Sequence, residues 1–132
     1  IEQYEHNEPI GAALAEKMLP KYGYNEQHIK TIKELIYVTQ IPHKPVTKLQ
    51  EIMCDADLDY LGTEAFDVIS DKLKRELMAK GKVQSDKEWD TIQIPFLKQH
   101  HYFTKTAIMT REKLKQEQIK KIEARLLGNQ YD

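Results

Sequence analysis

Three aspartates alternate along one short stretch of this chain, as Asp55, Asp57 and Asp59 in the segment Met53–Gly62. If the segment is helical, successive side chains are turned by about 100°, so the three carboxylates cannot all face the same way. Asp55 and Asp59 are four positions apart and share a side with Glu51. This spacing predicts a solvated polar face that contains these three acidic side chains.

Asp57 falls on a different side of the same predicted helix. Its helical position places it beside an apolar stripe, formed by Leu49, Ile52 and Ala56, and turns it toward the protein core or the edge of that core. A carboxylate in an apolar interior is costly unless it is paired or bound to a metal. Two interpretations of Asp57 therefore stand side by side: a structural carboxylate that meets a buried Arg, Lys or helix N-terminus, and a metal ligand.

Histidines are the other side chains that could do chemistry. His6 lies between Glu5 and Glu8 near a predicted helix start, where an exposed histidine is the simplest expectation. His100 and His101 are adjacent, and neighbouring helical residues diverge by about 100°. We therefore expect this pair to pack or to cap the last helix, and we do not expect it to bind a metal.

Three further residues have simpler expected roles. His28 is expected at a helix surface, and His43 lies in a loop that Pro42 and Pro45 bound. Neither histidine has a partner at a recognisable spacing. Cys54 is expected to be a packed helix residue, because nothing around it in the sequence favours a reactive thiolate.

The elements that must position these residues are predicted to be six helices separated by short breaks. Asn7 and Asn25 are suited to cap helices, and Ser85 with Glu88 forms a capping box. The predicted helices begin near Asn7, Asn25, Val46, Thr63, Ser85 and Thr106. The third is expected to extend to about Tyr60, and Pro95 should end or kink the fifth. With no period-2 alternation and no linker, the chain is predicted to be one all-α domain.

The last predicted helix, from about Thr106 to Leu127, carries many charges of both signs. Its cations, which include Lys115, alternate with Glu112, Glu117 and Glu123. This mixture predicts a solvated face. The length of the helix also suits a contact between two copies of the chain, as in a homodimer.

Composition excludes several classes of protein. The chain has 132 residues, with 20 Lys and Arg against 21 Asp and Glu, a net charge of -1. A nucleic-acid binder that relies on bulk charge would be basic, so no nucleic-acid partner is expected. The single cysteine, Cys54, allows no internal disulfide and predicts a reducing, cytoplasmic setting. No apolar run is long enough for a membrane segment, and no signal peptide is visible.

Several motifs together resemble the HD superfamily of metal-dependent phosphohydrolases, and they cover most of the chain. The strongest is Cys54–Gly62 (CDADLDYLG), in which Ala56-Asp57-Leu58 resembles the last motif of that family. Weaker similarities are Glu5–Glu8 (EHNE), Leu19–Tyr24 (LPKYGY), Thr39–Pro42 (TQIP) and His101–Thr104 (HYFT). The resemblance implies an all-α, HD-domain-like bundle of about six helices.

The resemblance also implies a metal site. HD proteins hold one or two divalent metals with a His, a His-Asp pair and a later Asp, and Asp57 is similar to that later Asp. His6 would then line the site as an added ligand or a phosphate contact, and Glu5 would act as an outer partner or general base. Carboxylate and imidazole ligands suit Mn²⁺, Fe²⁺, Mg²⁺ or Zn²⁺.

One departure from the family pattern is serious, because the sequence contains no His-Asp dipeptide. In the family, the first His and the His-Asp pair precede the position of Ile1. The first residue is not Met, so we expect these ligands upstream, on N-terminal helices that a single HD-like domain would include. The expected function is then hydrolysis of a phosphomonoester or phosphodiester, such as a nucleotide, by a metal-activated water. The alternative is a catalytically inactive HD-like regulatory or binding module.

Overall fold

The computed structural model describes residues 7–132. All regular secondary structure in this part of the chain is helical, as predicted. Its α-helices are α1 (Asn7–Met18), α2 (Glu26–Val38), α3 (Lys48–Asp57), α4 (Phe66–Ala79), α5 (Asp86–Gln99) and α6 (Lys105–Gly128). Two short 3₁₀ turns, Leu19–Tyr22 and Asp59–Gly62, follow α1 and α3. Within residues 7–132, no helix combines the length and the apolar composition needed to cross a bilayer.

Side-chain caps set the start of four helices. Asn25 accepts a hydrogen bond from the His28 backbone N–H at 2.8 Å at the start of α2, as the sequence predicts. Thr47 accepts one from the Gln50 backbone N–H before α3, and Thr104 caps α6 through the Ala107 N–H. The fourth is α5, where the predicted Ser85 cap accepts from Glu88. Local sequence alone fixes these starts, because each cap satisfies a backbone donor that the helix leaves open.

The chain divides into two compact units between Asp57 and Leu58. The described part of the first unit holds α1, α2 and α3, with α2 packed against both of the other helices. Its fully buried apolar side chains are few: Ala12, Ile29 and Cys54. The first unit therefore has a small core, and much of its apolar surface is exposed.

The second unit, residues 58–132, holds α4, α5 and α6 and has the larger core. Six buried side chains form its main cluster: Leu58, Leu61, Phe66, Leu97, Ile119 and Ile122. A second cluster joins Leu77, Val83 and Trp89. Phe66 is buried within the main cluster, and Tyr60 is half-buried against it.

The structure narrows one sequence prediction for the helices and contradicts another. α5 continues past Pro95 to Gln99, so this proline does not end the helix. The helix expected to run to Tyr60 ends at Asp57 and gives way to the 3₁₀ turn. In that turn the Tyr102 hydroxyl shares its proton between the carbonyls of Leu58 and Asp59, and the Leu58 carbonyl also accepts the 3₁₀-type bond from Leu61 N–H.

The predicted solvent exposure of Lys115 is also wrong, because this residue is buried. Its side chain is 2% exposed, and Nζ donates to the His100 carbonyl oxygen at 2.8 Å. The ammonium also lies 3.1 Å from Glu112 and 5.3 Å from the centre of the Tyr102 ring. A carboxylate, a carbonyl and an aromatic face together compensate the buried charge.

Candidate functional site

In the described part of the first unit, the side chains of His43 and Asp57 form a hydrogen-bonded pair. His43 Nε2 lies 2.9 Å from Asp57 Oδ2. Because an ionised carboxylate can only accept, the imidazole N–H donates this hydrogen bond. The His43 side chain is 5% exposed and that of Asp57 is 35% exposed. A nearly buried imidazole therefore holds a carboxylate that solvent can still reach.

Local structure on both sides of the loop brings these two residues together. His43 follows α2 in the proline-bounded loop, and Asp57 is the last residue of α3. A reciprocal capping box begins α3, in which Thr47 accepts from Gln50 N–H and the Gln50 side chain accepts from Val46 N–H. The loop therefore enters α3 at a fixed point, ten residues before the helix ends at Asp57.

Cys54 ties α3 to the end of α2. Its Sγ donates to the Val38 carbonyl oxygen at 3.5 Å, and its side chain is fully buried. Burial, together with the negative charges of Asp57 and Asp55, raises the pKa of the Cys54 thiol to about 11. The thiol therefore stays protonated at neutral pH, which agrees with the predicted packed, unreactive cysteine.

The predicted orientation of α3 is wrong. Asp55, expected on a solvated face, is only 6% exposed. Asp57, expected at the core or at its edge, has a side chain that is 35% exposed and bonded to the nearly buried His43, which places it at the edge. The apolar stripe that was expected in the core is half exposed at Leu49 and Ile52, with 49% and 50% of each residue accessible. The physical reason is that α3 packs on α2 through its Cys54 face, which turns the helix away from its most apolar side.

Asp59, the third aspartate, has a structural role in the second unit. Its carboxylate accepts a hydrogen bond from Arg111 Nε at 2.7 Å, and this ion pair raises the pKa of the Arg111 guanidinium. The Tyr102 hydroxyl bonds to the backbone at the same point. Burial and the Asp59 charge raise the pKa of Tyr102 well above its usual range, so the phenol remains a hydrogen-bond donor.

The other histidines of residues 7–132 are either exposed or packed against neighbours in their own unit. His28 is exposed on α2 and His101 is exposed before α6. His100 is buried against Tyr102, with the two rings in an edge contact at 4.5 Å, as the packing prediction expected. Glu5 and His6, the two predicted catalytic residues, lie outside the described residues.

Imidazole nitrogen and carboxylate oxygen are atoms that bind divalent metals, but one histidine and one aspartate are too few to hold a catalytic ion. A catalytic metal site generally takes three protein ligands. Within residues 7–132, no group of three or more His, Cys, Asp or Glu side chains is placed to hold an ion. Glu8 has a buried Oε2 atom that makes no hydrogen bond there, but it does not complete such a group. His43 and Asp57 thus form part of a metal site at most.

The sequence gives no local signal for the role of His43. It precedes Asp57 by 14 residues and lies in the loop before α3. Because the two residues do not share a helix or a strand, no periodicity relates them, and only the loop and the packing of α3 bring them together. Comparisons of the chain with family models, with curated proteins and with solved structures found no match.

Proposed function

We propose that this chain is part of a metal-dependent phosphohydrolase of the HD type, in which Asp57 and His43 belong to the metal site. The observation that supports this most is the 2.9 Å bond between His43 Nε2 and Asp57 Oδ2. It gives the aspartate of the strongest HD-like motif an imidazole partner, and hydrogen-bonded partners of this kind orient metal-binding carboxylates. The proposal otherwise depends on the resemblance of the sequence.

The chain's own residues have distinct tasks in this proposal. His43 orients the Asp57 carboxylate and uses only one of its two oxygens, which leaves lone pairs for an ion. A carboxylate held by a second side chain loses less freedom when it binds a metal, and such outer partners raise metal affinity. Glu5 and His6 are proposed to line the same site, with further His ligands supplied from sequence upstream of Ile1.

The metal and the substrate follow from this chemistry. A bound Mn²⁺, Fe²⁺, Mg²⁺ or Zn²⁺ would lower the pKa of a water and neutralise phosphate charge. The substrate is proposed to be a small phosphomonoester or phosphodiester such as a nucleotide. The near-neutral chain, with a net charge of -1, suits an enzyme that gains phosphate affinity from a metal. We also propose that the protein is cytoplasmic, where its one cysteine would stay reduced. The proposed assembly is a homodimer.

Metal removal is the first experiment. We expect the intact protein to hydrolyse p-nitrophenyl phosphate, its bis ester or a nucleotide panel, to lose that activity after dialysis against EDTA, and to regain it with one of the four metals. The rate of product release at each metal concentration measures the effect. Light scattering on the same sample reports whether the protein is a homodimer.

The control for this experiment is the same protein carried through dialysis without chelator. Hydrolysis that persists unchanged in EDTA, with no metal retained, would contradict the proposed mechanism. Absence of turnover with every metal and substrate, in protein that binds metal, would favour the alternative of an inactive regulatory or binding module.

A further inference from the structure

A cavity of about 270 Å³ lies in the second unit, among α4, α5 and the residues that follow α6. One side is lined by Ser70, Trp89 and Gln93, and the other by Gln130 and Tyr131. Neither His43 nor Asp57 lines this cavity. The cavity therefore belongs to a different part of the molecule and has to be explained separately.

Buried polar side chains form a continuous hydrogen-bonded row along this cavity. Trp89 Nε1 donates to Ser70 Oγ at 3.0 Å, and Ser70 donates to Gln93 Oε1 at 2.6 Å. Gln93 Nε2 then donates to Asp90 Oδ1 at 3.1 Å. Asp90 is 3% exposed and accepts two bonds from Arg125, each 2.9 Å long. The row ends at the Asp90 carboxylate.

The segment 129–132, which we call the strap, leaves α6 and turns back over this carboxylate. Asn129 adopts a left-handed backbone conformation with φ of 46°, which ends the helix and reverses the chain. Lys87 Nζ donates to Asn129 Oδ1 at 3.1 Å. The Tyr131 hydroxyl donates to Asp90 Oδ2 at 2.6 Å, a short charge-assisted bond. Two side-chain bonds to α5 thus hold the strap.

The electrostatics around Asp90 favour this bond. Burial alone would raise the pKa of Asp90, but the hydrogen bonds from Arg125 and Tyr131 outweigh it and hold the pKa below its usual range. Burial and the neighbouring Asp90 charge raise the pKa of Tyr131. Near neutral pH the carboxylate is therefore ionised and the phenol protonated, which are the forms that this bond requires.

We propose that residues 129–132 are a displaceable strap that covers part of the cavity and its polar row, with the Tyr131 hydroxyl on Asp90 as its latch. The strap residues Gln130 and Asp132 are exposed, and Tyr131 is only partly buried, so little apolar burial opposes release. Arg125 keeps both of its bonds to Asp90 when Tyr131 leaves, so the buried Asp90 carboxylate remains paired when the strap opens. Release of this one latch would open the polar row to solvent while the helices stay in place.

The test compares the protein with its Tyr131→Phe variant by amide hydrogen exchange and by acrylamide quenching of Trp89, the chain's one tryptophan. Loss of a hydrogen bond to a charged acceptor should raise the open population about tenfold. We expect the Gln130 amide, bonded to the Arg125 carbonyl oxygen, to exchange faster by about that factor. We also expect Trp89 quenching to increase.

Two variants control this test. Tyr24→Phe removes the hydroxyl of an exposed tyrosine outside the second unit and should change neither readout. Lys87→Met removes the other anchor and should add to the effect of Tyr131→Phe. Unchanged exchange and quenching in Tyr131→Phe would overturn the proposal. Faster exchange throughout α4, α5 and α6 would also overturn it, because Tyr131 would then stabilise the whole unit and not a separate strap.

Discussion

Replacing Asp57 with alanine is expected to lower kcat/KM for phosphoester hydrolysis about a hundredfold or more, because outer partners of metal ligands alone are worth 10–100-fold. The substitution removes the carboxylate that the proposal assigns to the metal and leaves His43 without its acceptor. The helix should survive, because Asp57 is the last residue of α3 and its side chain is partly exposed. Steady-state kinetics at saturating metal, with circular dichroism to check the fold, measures the effect.

Two further variants make this prediction specific. His43→Gln should lower the rate by about 10–100-fold if the imidazole acts through Asp57, and excess metal should restore part of the loss. Glu117→Ala, which removes an exposed carboxylate from α6, should leave the rate unchanged. A rate in Asp57→Ala equal to that of the unaltered protein would show that Asp57 takes no part in the reaction.

Gly62→Ala is expected to destabilise the second unit by about 3 kcal/mol, at the upper end of the cost of overpacking. A methyl group added at Gly62 would come within 2.7 Å of Arg111 Cβ and 2.8 Å of the Arg111 carbonyl carbon. The neighbours cannot easily move apart, because Arg111 is bound to Asp59 at 2.7 Å and Tyr102 is bound to the Leu58 carbonyl oxygen. The clash therefore has to strain the backbone of the 3₁₀ turn or of α6.

Urea unfolding followed by Trp89 fluorescence measures this effect, since that residue lies in the second unit. Gly11→Ala is the matched control. Its added methyl would make ordinary contact, 3.5 Å from Ile36 Cγ2, and alanine favours a helix over glycine by about 1 kcal/mol. The control should be neutral or slightly stabilising. An unfolding midpoint of Gly62→Ala at or above that of the unaltered protein would contradict the predicted close packing at this turn.

Local rules were sufficient to predict the fold class and several helix starts. Asn25 and Ser85 cap helices, as predicted, because capping needs only a few neighbouring residues. Pro95 lies within α5 although proline usually breaks helices. Its neighbour Leu97 is 1% exposed, so tertiary burial of this part of α5 compensates for the missing backbone donor.

The candidate site could not be predicted to the same extent, because it depends on contacts between distant residues. The sequence singles out Asp57 but predicts the wrong packed side for α3, since the apolar stripe is half exposed and Asp55 is buried. Packing through Cys54 and its bond to Val38 sets the true rotation of that helix. No partner is predicted for His43, because the approach of a loop to a helix leaves no periodic pattern in the sequence. Lys115 is predicted to be solvated, because the compensation of a buried charge leaves no such pattern either.

The most direct test of the proposed function is the metal content of the intact protein, measured by plasma mass spectrometry after removal of loosely bound ions. The unaltered protein and Glu117→Ala should each retain a stoichiometric divalent metal, and Asp57→Ala should retain little or none. Equal metal content in all three proteins, or no metal in any of them after growth and purification with the four candidate ions, would contradict the assignment of Asp57 as a metal ligand.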